Sequence, residues 1–321
     1  MKKIITLIFV VALVLALAAC GGEQDTTQTQ GATDQQQAQQ QQTGGTQTTD
    51  TNLDTGDQQA DAATEPTIRD IPVNDEEDFG FRNVDGGVAV ISYVGTATEV
   101  HIPDTIAGNR VVAIGERAFR RSNITAIIIP YGVTTIGIEA FEESSRLASV
   151  TLPNSLTTIE RAAFRDCTSL SSIILPDSLT TVGGVVFHRS GLESVTFGNG
   201  LTEIPNAMFA GTRLTDVVVP EGVTVIDDGA FGGASELSNI TLPNSLTTIG
   251  GDAFAGTGLP SIIIPDSVTE IGVRAFNNTR LARITYRGTT YGNLDDFLAS
   301  FLQQVGTGFR IDTGFDAPPP Q

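Results

Sequence analysis

The dipeptide Ala-Phe constrains this chain more than any other feature. It stands at Ala118-Phe119, Ala140-Phe141, Ala163-Phe164, Ala230-Phe231, Ala253-Phe254 and Ala275-Phe276, with degenerate copies at Val186-Phe187 and Met208-Phe209. The eight phenylalanines follow one another at 22, 23, 23, 22, 22, 23 and 22 residues. A recurring period of this size is the signature of a solenoid. One short coil cannot bury its own apolar face, so neighbouring coils stack and share one core.

Aligned on phenylalanine, the coil reads Leu-x-x-Ile-x-Leu-Pro-x-Ser-Leu-Thr-x-Ile-Gly-x-x-Ala-Phe. One copy is Leu147, Val150, Leu152, Pro153, Ser155, Leu156, Thr157, Ile159, Ala163 and Phe164; a partial first copy runs from Val100 to Phe119. Ile-x-Leu alternates, which predicts a strand with its outer two residues in the core and its middle residue outside. Proline ends that strand, because it has no N–H for another rung. Leu-Thr-x-Ile predicts a second short strand across the coil. Ala-Phe is expected in a tight helical turn, with phenylalanine filling the interior and alanine permitting close approach. The extra residue of the longer coils falls between Phe and the next Leu, hence in a surface turn. The predicted fold is mainly β: a stacked parallel sheet, short second strands and helical turns. Phe119, Phe141, Phe164, Phe187, Phe209, Phe231, Phe254 and Phe276 form its repeating core.

The Leu-Pro, Leu-Thr-x-Ile-Gly and Ala-Phe elements over about residues 88–290 resemble the BspA-type leucine-rich repeats of bacterial surface proteins. The resemblance implies a leucine-rich-repeat solenoid that works in adhesion or protein binding. It departs from ordinary leucine-rich repeats in one respect. Their inward Asn is missing, and Pro with Ser or Gly stands in its neighbourhood, so a second strand run is the expected substitute for an asparagine ladder.

The flanks read differently. Residues 1–20 have Lys2 and Lys3 before the apolar run Ile4 to Ala19, short for a membrane span and right for a secretory signal. The run ends in Leu17-Ala18-Ala19-Cys20, which resembles the bacterial lipobox, in which the cysteine is lipidated and becomes the new N-terminus. Cys20 is thus the expected lipid attachment site, and the protein an extracytoplasmic one anchored to a membrane without spanning it. Residues 21–66 are rich in Gln, Thr and Gly with almost no larger apolar residue. Burial there cannot offset ordering entropy, which predicts a flexible tether with a reach of roughly 35–40 Å.

Two β-rich runs around Asp85-Gly86-Gly87 predict a hairpin, so residues 67–99 are expected to form an N-terminal β cap on a solenoid of residues 100–290. At 291–306, Leu294, Phe297, Leu298, Phe301, Leu302 and Val305 keep helical spacing, with Asn293 as N-cap and Asp295 and Asp296 in the first turn. This helix is expected to cover the last coil. Residues 307–321 form a tail.

The formal net charge is −19, and Lys2 and Lys3 are the only lysines. That excludes nucleic acid, whose binding rests on neutralising phosphates, and a basic face for anionic lipid. Two cysteines, Cys20 and Cys167, give no disulfide framework. Cys167 stands three residues after Phe164, where other coils have Ser, Thr or Ala, so it reads as a small buried side chain rather than a reactive thiol. The only histidines, His101 and His188, lie about four coils apart. They cannot share a hydrolytic site. No phosphate-binding loop, paired metal ligands or cofactor motif stands out, and the acidic run Asp75–Asp78 matches no calcium loop. The expectation is no enzyme, no cofactor and no metal.

What remains is the outward row of the strand sheet: His101, then Ile128, Thr151, Ile174, Thr196, Val218, Thr241, Ile263 and Thr285. From Ile128 onward, aliphatic residues and threonine alternate. The flanking row is Ala126, Ser149, Ser172, Ser194, Asp216, Asn239, Ser261 and Arg283. Exposed strands favour Ile, Val and Thr anyway, but such a row also makes a partly apolar face for a protein partner on a host or a neighbouring cell. A glycan of the cell wall or host is the alternative, less suited to a chain with no Trp and four Tyr.

Overall fold

The computed structural model describes residues 71–305. The expected signal segment, Cys20, the tether and the tail lie outside them.

Each coil contributes a strand to a first column: β3 (Glu99–His101), β6 (Ala126–Ile128), β8 (Ser149–Thr151), β10 (Ser172–Ile174), β12 (Ser194–Thr196), β14 (Asp216–Val218), β16 (Asn239–Thr241), β18 (Ser261–Ile264) and β20 (Arg283–Tyr286). The Thr-x-Ile segment gives a second column of mostly two-residue strands: β5 (Asn109–Ile114), β7 (Thr135–Ile136), β9 (Thr158–Ile159), β11 (Thr181–Val182), β13 (Glu203–Ile204), β15 (Val225–Ile226), β17 (Thr248–Ile249) and β19 (Glu270–Ile271). Hydrogen-bonded neighbours within each column are parallel, as stacking of like coils requires.

The third column is the Ala-Phe turn. All eight phenylalanines are at most 3% exposed. Their rings form a continuous stack, with neighbouring centroids 4.9–5.6 Å apart and planes within 13° of parallel. The coil rise imposes this spacing, since each ring can only sit above its counterpart. Tyr93 extends the stack at one end, 5.7 Å from Phe119.

The turn itself is not helical. In the coil of Phe141, the amides of Ala140, Glu142 and Ser144 bond back three residues, while those of Glu139, Phe141 and Glu143 reach forward to the carbonyls of Arg161, Ala163 and Arg165. A helical turn would spend all of these amides locally and leave the coils unjoined. Alternation is achieved by left-handed residues four apart: Glu139 and Glu143, Ala162 and Asp166, Val185 and Arg189, Ala207 and Gly211, Gly229 and Gly233. Most are not glycine, so local strain is accepted for bonds between coils.

Small polar side chains also bond from coil to coil. Ser155, Ser178, Ser245 and Ser267 donate to carbonyls of the preceding coil at 2.6–2.8 Å. Three residues after phenylalanine, Ser144 Oγ donates to the Phe119 carbonyl at 2.6 Å and Cys167 Sγ to that of Phe141 at 3.1 Å.

At the N-terminal end, β1 (Phe79–Val84) and β2 (Gly87–Tyr93) form an antiparallel hairpin, and β2 pairs in parallel with β5. The hairpin thus closes the second column. A short antiparallel partner of β5, β4 (Thr105–Ile106), completes the first coil. Asn74 closes the first column, donating its amide to the His101 carbonyl and accepting the His101 amide on Oδ1. At the other end, β21 (Thr289–Tyr291) lies antiparallel on β20. There α1 (Leu294–Val305) buries Phe297 and Phe301 against Tyr286, with Asn293 Oδ1 capping the Asp296 amide at 2.8 Å.

Phe164 is central in the ring stack and fully buried. Phe164→Ala should cost about 3–5 kcal/mol. Denaturant melts check this; a loss under about 1 kcal/mol would contradict the shared core.

Candidate binding face

The alternation of strand residues fixes which side chains leave the core. In β10, Ile173 is 3% exposed while its neighbour Ile174 is 63% exposed. Val218 and Ile263 repeat this at 68% and 71%. Thr151, Thr196 and Thr241 are exposed, whereas Ile128 and Thr285 are half-buried. Strand register aligns the row, with Ile128 beside Thr151, Ile174 beside Thr196, Val218 beside Thr241 and Ile263 beside Thr285.

The face is not one continuous sheet. Strands pair within the groups β3-β6-β8, β10-β12, β14-β16 and β18-β20-β21, and the ladder is interrupted between groups. The amides of Ile129, Leu175 and Val219 bond to the carbonyls of Thr151, Thr196 and Thr241. Leu152, Phe197 and Leu242, the equivalents in the following strands, have no such bond. On this face, from β6 onward, the strands therefore come in pairs. Each pair opens on an exposed or half-buried aliphatic residue and closes on threonine.

At these seams the closing strand does not fully bury its inward residues. Val150, Leu152, Val195, Phe197 and Leu242 are half-buried, while Ile127, Ile129, Ile173, Leu175, Val217 and Val219 are buried. The first seam widens into a shallow groove of about 300 Å³, its floor formed by Val150, Leu152 and Ile173 and its walls by Thr151, Ile174 and Thr196. The face combines protruding aliphatics, hydroxyls and apolar clefts. It carries few charges, with Asp216 and Arg283 in the flanking row.

The other sequence candidates do not form a reactive centre. His101 Nδ1 lies 3.1 Å from the Ile71 carbonyl at the end of the first column. His188 sits on the turn column, coils away, with Nδ1 buried and without a partner among the described residues. Cys167 is buried, and desolvation pushes its thiol up to about 12. Among the described residues no cluster of His, Cys, Asp and Glu could hold a metal ion.

An ion-pair stack on the turn column escaped the sequence reading. Glu139 lies between Arg117 at 2.7 Å and Arg161 at 3.2 Å. Fully buried Glu142 lies between Arg120 at 2.6 Å and Arg165, and Glu143 meets Arg121 at 2.7 Å. The bond from Arg117 holds the Glu139 carboxyl below the usual carboxylate range, and Arg121 does the same for Glu143. One acidic coil between two with basic residues locks the register of three coils. The available signal was charge alternation at intervals of one coil.

The same row continues from Glu142 and Arg165 to His188. Burial lowers the His188 pKa; Arg189 and Arg165 lower it further, and Asp166 opposes them. A histidine held neutral in the fold binds its proton more readily when unfolded. Stability from this group is therefore full above the unfolded value of about 6.5 and declines as pH falls through it. Denaturant midpoints measured between about pH 7.5 and pH 5.5 should fall more for the native chain than for His188→Gln.

A family model described as a BspA type leucine rich repeat region matches the chain in six copies, over residues 112–238 and 202–300. No curated protein matches it. Among solved structures, a leucine-rich repeat protein of T. pallidum is 26% identical, with a TM-score of 0.52 over 74% of this chain and 97% of the other. One from Bacteroides ovatus is 29% identical, with a TM-score of 0.50 over 67% of this chain and 64% of the other.

Proposed function

This chain belongs to the BspA-type leucine-rich repeat family, and from that premise we propose that it is a lipid-anchored, extracytoplasmic protein that binds another protein through the outward face of its first strand column. Proteins built on this repeat are typically interaction scaffolds. The observation that carries the reading is the exposed row of Ile174, Val218 and Ile263. Two coils separate successive members, about 10 Å at the usual strand spacing. A line of aliphatics at that interval, with hydroxyls between, suits an elongated protein surface better than a small molecule. Sugars more often stack on exposed aromatics, and this row has none.

Replacing Ile174, Val218 and Ile263 together by Arg tests the face. These side chains contribute little to the core, so the thermal melt should stay within a few degrees. Capture of the partner from host or neighbouring-cell surface extracts should be lost. Normal capture by the folded variant, or binding to a glycan array that the substitutions abolish, would overturn the protein-binding reading.

Anchoring rests on Cys20 and the apolar run before it. On this reading, the 46 residues from 21 to 66 tether the solenoid above the membrane. Cys20→Ser should release the protein from the membrane fraction or block its processing. Unchanged fractionation together with unchanged electrophoretic mobility would refute lipidation.

A further inference from the structure

The clefts and protrusions of the strand face share one interval. Half-buried Val150 and Leu152 mark the seam before Ile174, Val195 and Phe197 the seam before Val218, and Leu242 the seam before Ile263. A seam thus recurs after every two coils, or about 10 Å at the usual strand spacing. An extended strand brings same-face residues back every ~6.6–6.8 Å, out of step with the seams. An α-helix advances about 10.5 Å in seven residues. Its side chains at i, i+7 and i+14 reach three successive seams with a mismatch of about 2 Å overall.

A line of charge runs beside the apolar one. Three residues after each protruding aliphatic, past the proline that ends the strand, stand Asp177, Glu221 and Asp266, all exposed. Each spends one carboxylate oxygen on the next coil. Asp177 Oδ1 accepts the Asn199 amide at 2.9 Å, Glu221 Oε1 the Asn244 amide at 3.3 Å and Asp266 Oδ1 the Arg287 amide at 3.1 Å. None of the three has an ion-pair partner among the described residues. One strand pair earlier, the same position holds Tyr131, 74% exposed.

The whole margin on this side is acidic. From β6 to β19, the stretches between the end of each first-column strand and the end of its second-column strand hold Asp177, Glu203, Glu221, Asp266 and Glu270 and no basic residue. Arg110 and Arg287 bound the margin at its two ends. The opposite margin is mixed. There Arg213 lies between Glu193 at 2.9 Å and Glu236 at 3.2 Å, and Arg146 and Arg280 stand in the same row.

We propose that the partner segment seated on this face is a basic amphipathic helix lying across the strands. Its aliphatic residues, seven apart, enter the seams, and Lys or Arg beside them meets Asp177, Glu221 and Asp266. This rests on the reading of the strand face as a protein-binding surface and narrows it. Charge complementarity selects the partner: unspent carboxylate oxygens line one margin only, so the basic residues fall on the proline side of the apolar stripe. A helix is about 10–12 Å across with its side chains, wide enough to cover both lines. Three residues of chain separate those lines, at most about 10 Å. At the head of the row the Tyr131 ring receives a further basic residue as a cation–π contact.

Fluorescence anisotropy with the full chain tests this. The probe is a labelled synthetic helix of about 22 residues, with Leu seven apart and Lys one turn from each Leu on one side. One control carries Glu for every Lys. A second carries Pro at two positions facing away from the Leu stripe, which breaks the helix and keeps the other residues. The lysine helix should bind saturably, and more weakly as salt rises. Both controls should bind at least about tenfold more weakly. Asp177→Asn, Glu221→Gln and Asp266→Asn together keep the backbone acceptors and remove the charge. This variant should melt as the native chain does, bind the lysine helix about tenfold more weakly and lose most of the salt dependence. Absence of saturable binding by the lysine helix, equal binding of either control, or binding unchanged in the neutral variant would overturn the proposal. The broader reading is judged separately, by protein capture with the Ile174, Val218 and Ile263 arginine variant. If that variant loses capture while the neutral one captures normally, the protein-binding face stands and the basic helix falls.

Discussion

The backbone bonds that run between Ala-Phe turns are the constraint on which the rest depends. Side chains alone could bring apolar coils together, but they would not hold them at one height and one rotation. Three amides per junction, all aimed the same way, fix both. The phenylalanine rings then have nowhere to go but above one another, and the strand columns inherit the same rise. Left-handed backbone at Ala162, Asp166 and Val185 is the local cost of turning alternate amides outward. Without the neighbouring coil those residues would relax, so the turn and the stack exist only together.

The binding face follows from this arrangement without a pocket in the usual sense. The core claims every second strand residue, and what is left over lies in rows. Pairing of coils adds texture: ladders join strands two by two, and half-buried Val150, Leu152 and Phe197 are reached through the gaps. The charged residues with the closest partners, Glu139 and Glu142, lie on the turn column and are spent on holding coils in register. The face itself carries few charges, with Asp216 and Arg283 in its flanking row.

Much of this was legible in the sequence. Eight phenylalanines at near-constant spacing define a solenoid whatever the intervening residues. Alternation in Ile-x-Leu separated Ile173 from Ile174 correctly, since a strand permits no other assignment. The short Ala-Phe turn was misread as helical because its local bonds, three residues back, are those a helical turn would also show; the distinguishing bonds go to residues more than 20 positions away. The ion-pair stack was missed for the same reason. Arg117, Glu139 and Arg161 look scattered along the chain and become neighbours only when coils are laid over one another. The seams depend on small differences in strand approach, although the alternation of Ile with Thr traced their positions.

Because the first-column ladder joins strands by twos, the smallest piece that repeats the binding face is a pair of coils. Duplication or loss of one pair would keep the order of aliphatic and threonine along the strand face, adding or removing one of each from the outward row. Loss of a single coil would instead set two like strands side by side and put the clefts out of step with the protrusions. Descendants of this architecture are thus free to differ in reach by even steps, while the pattern they display stays the same.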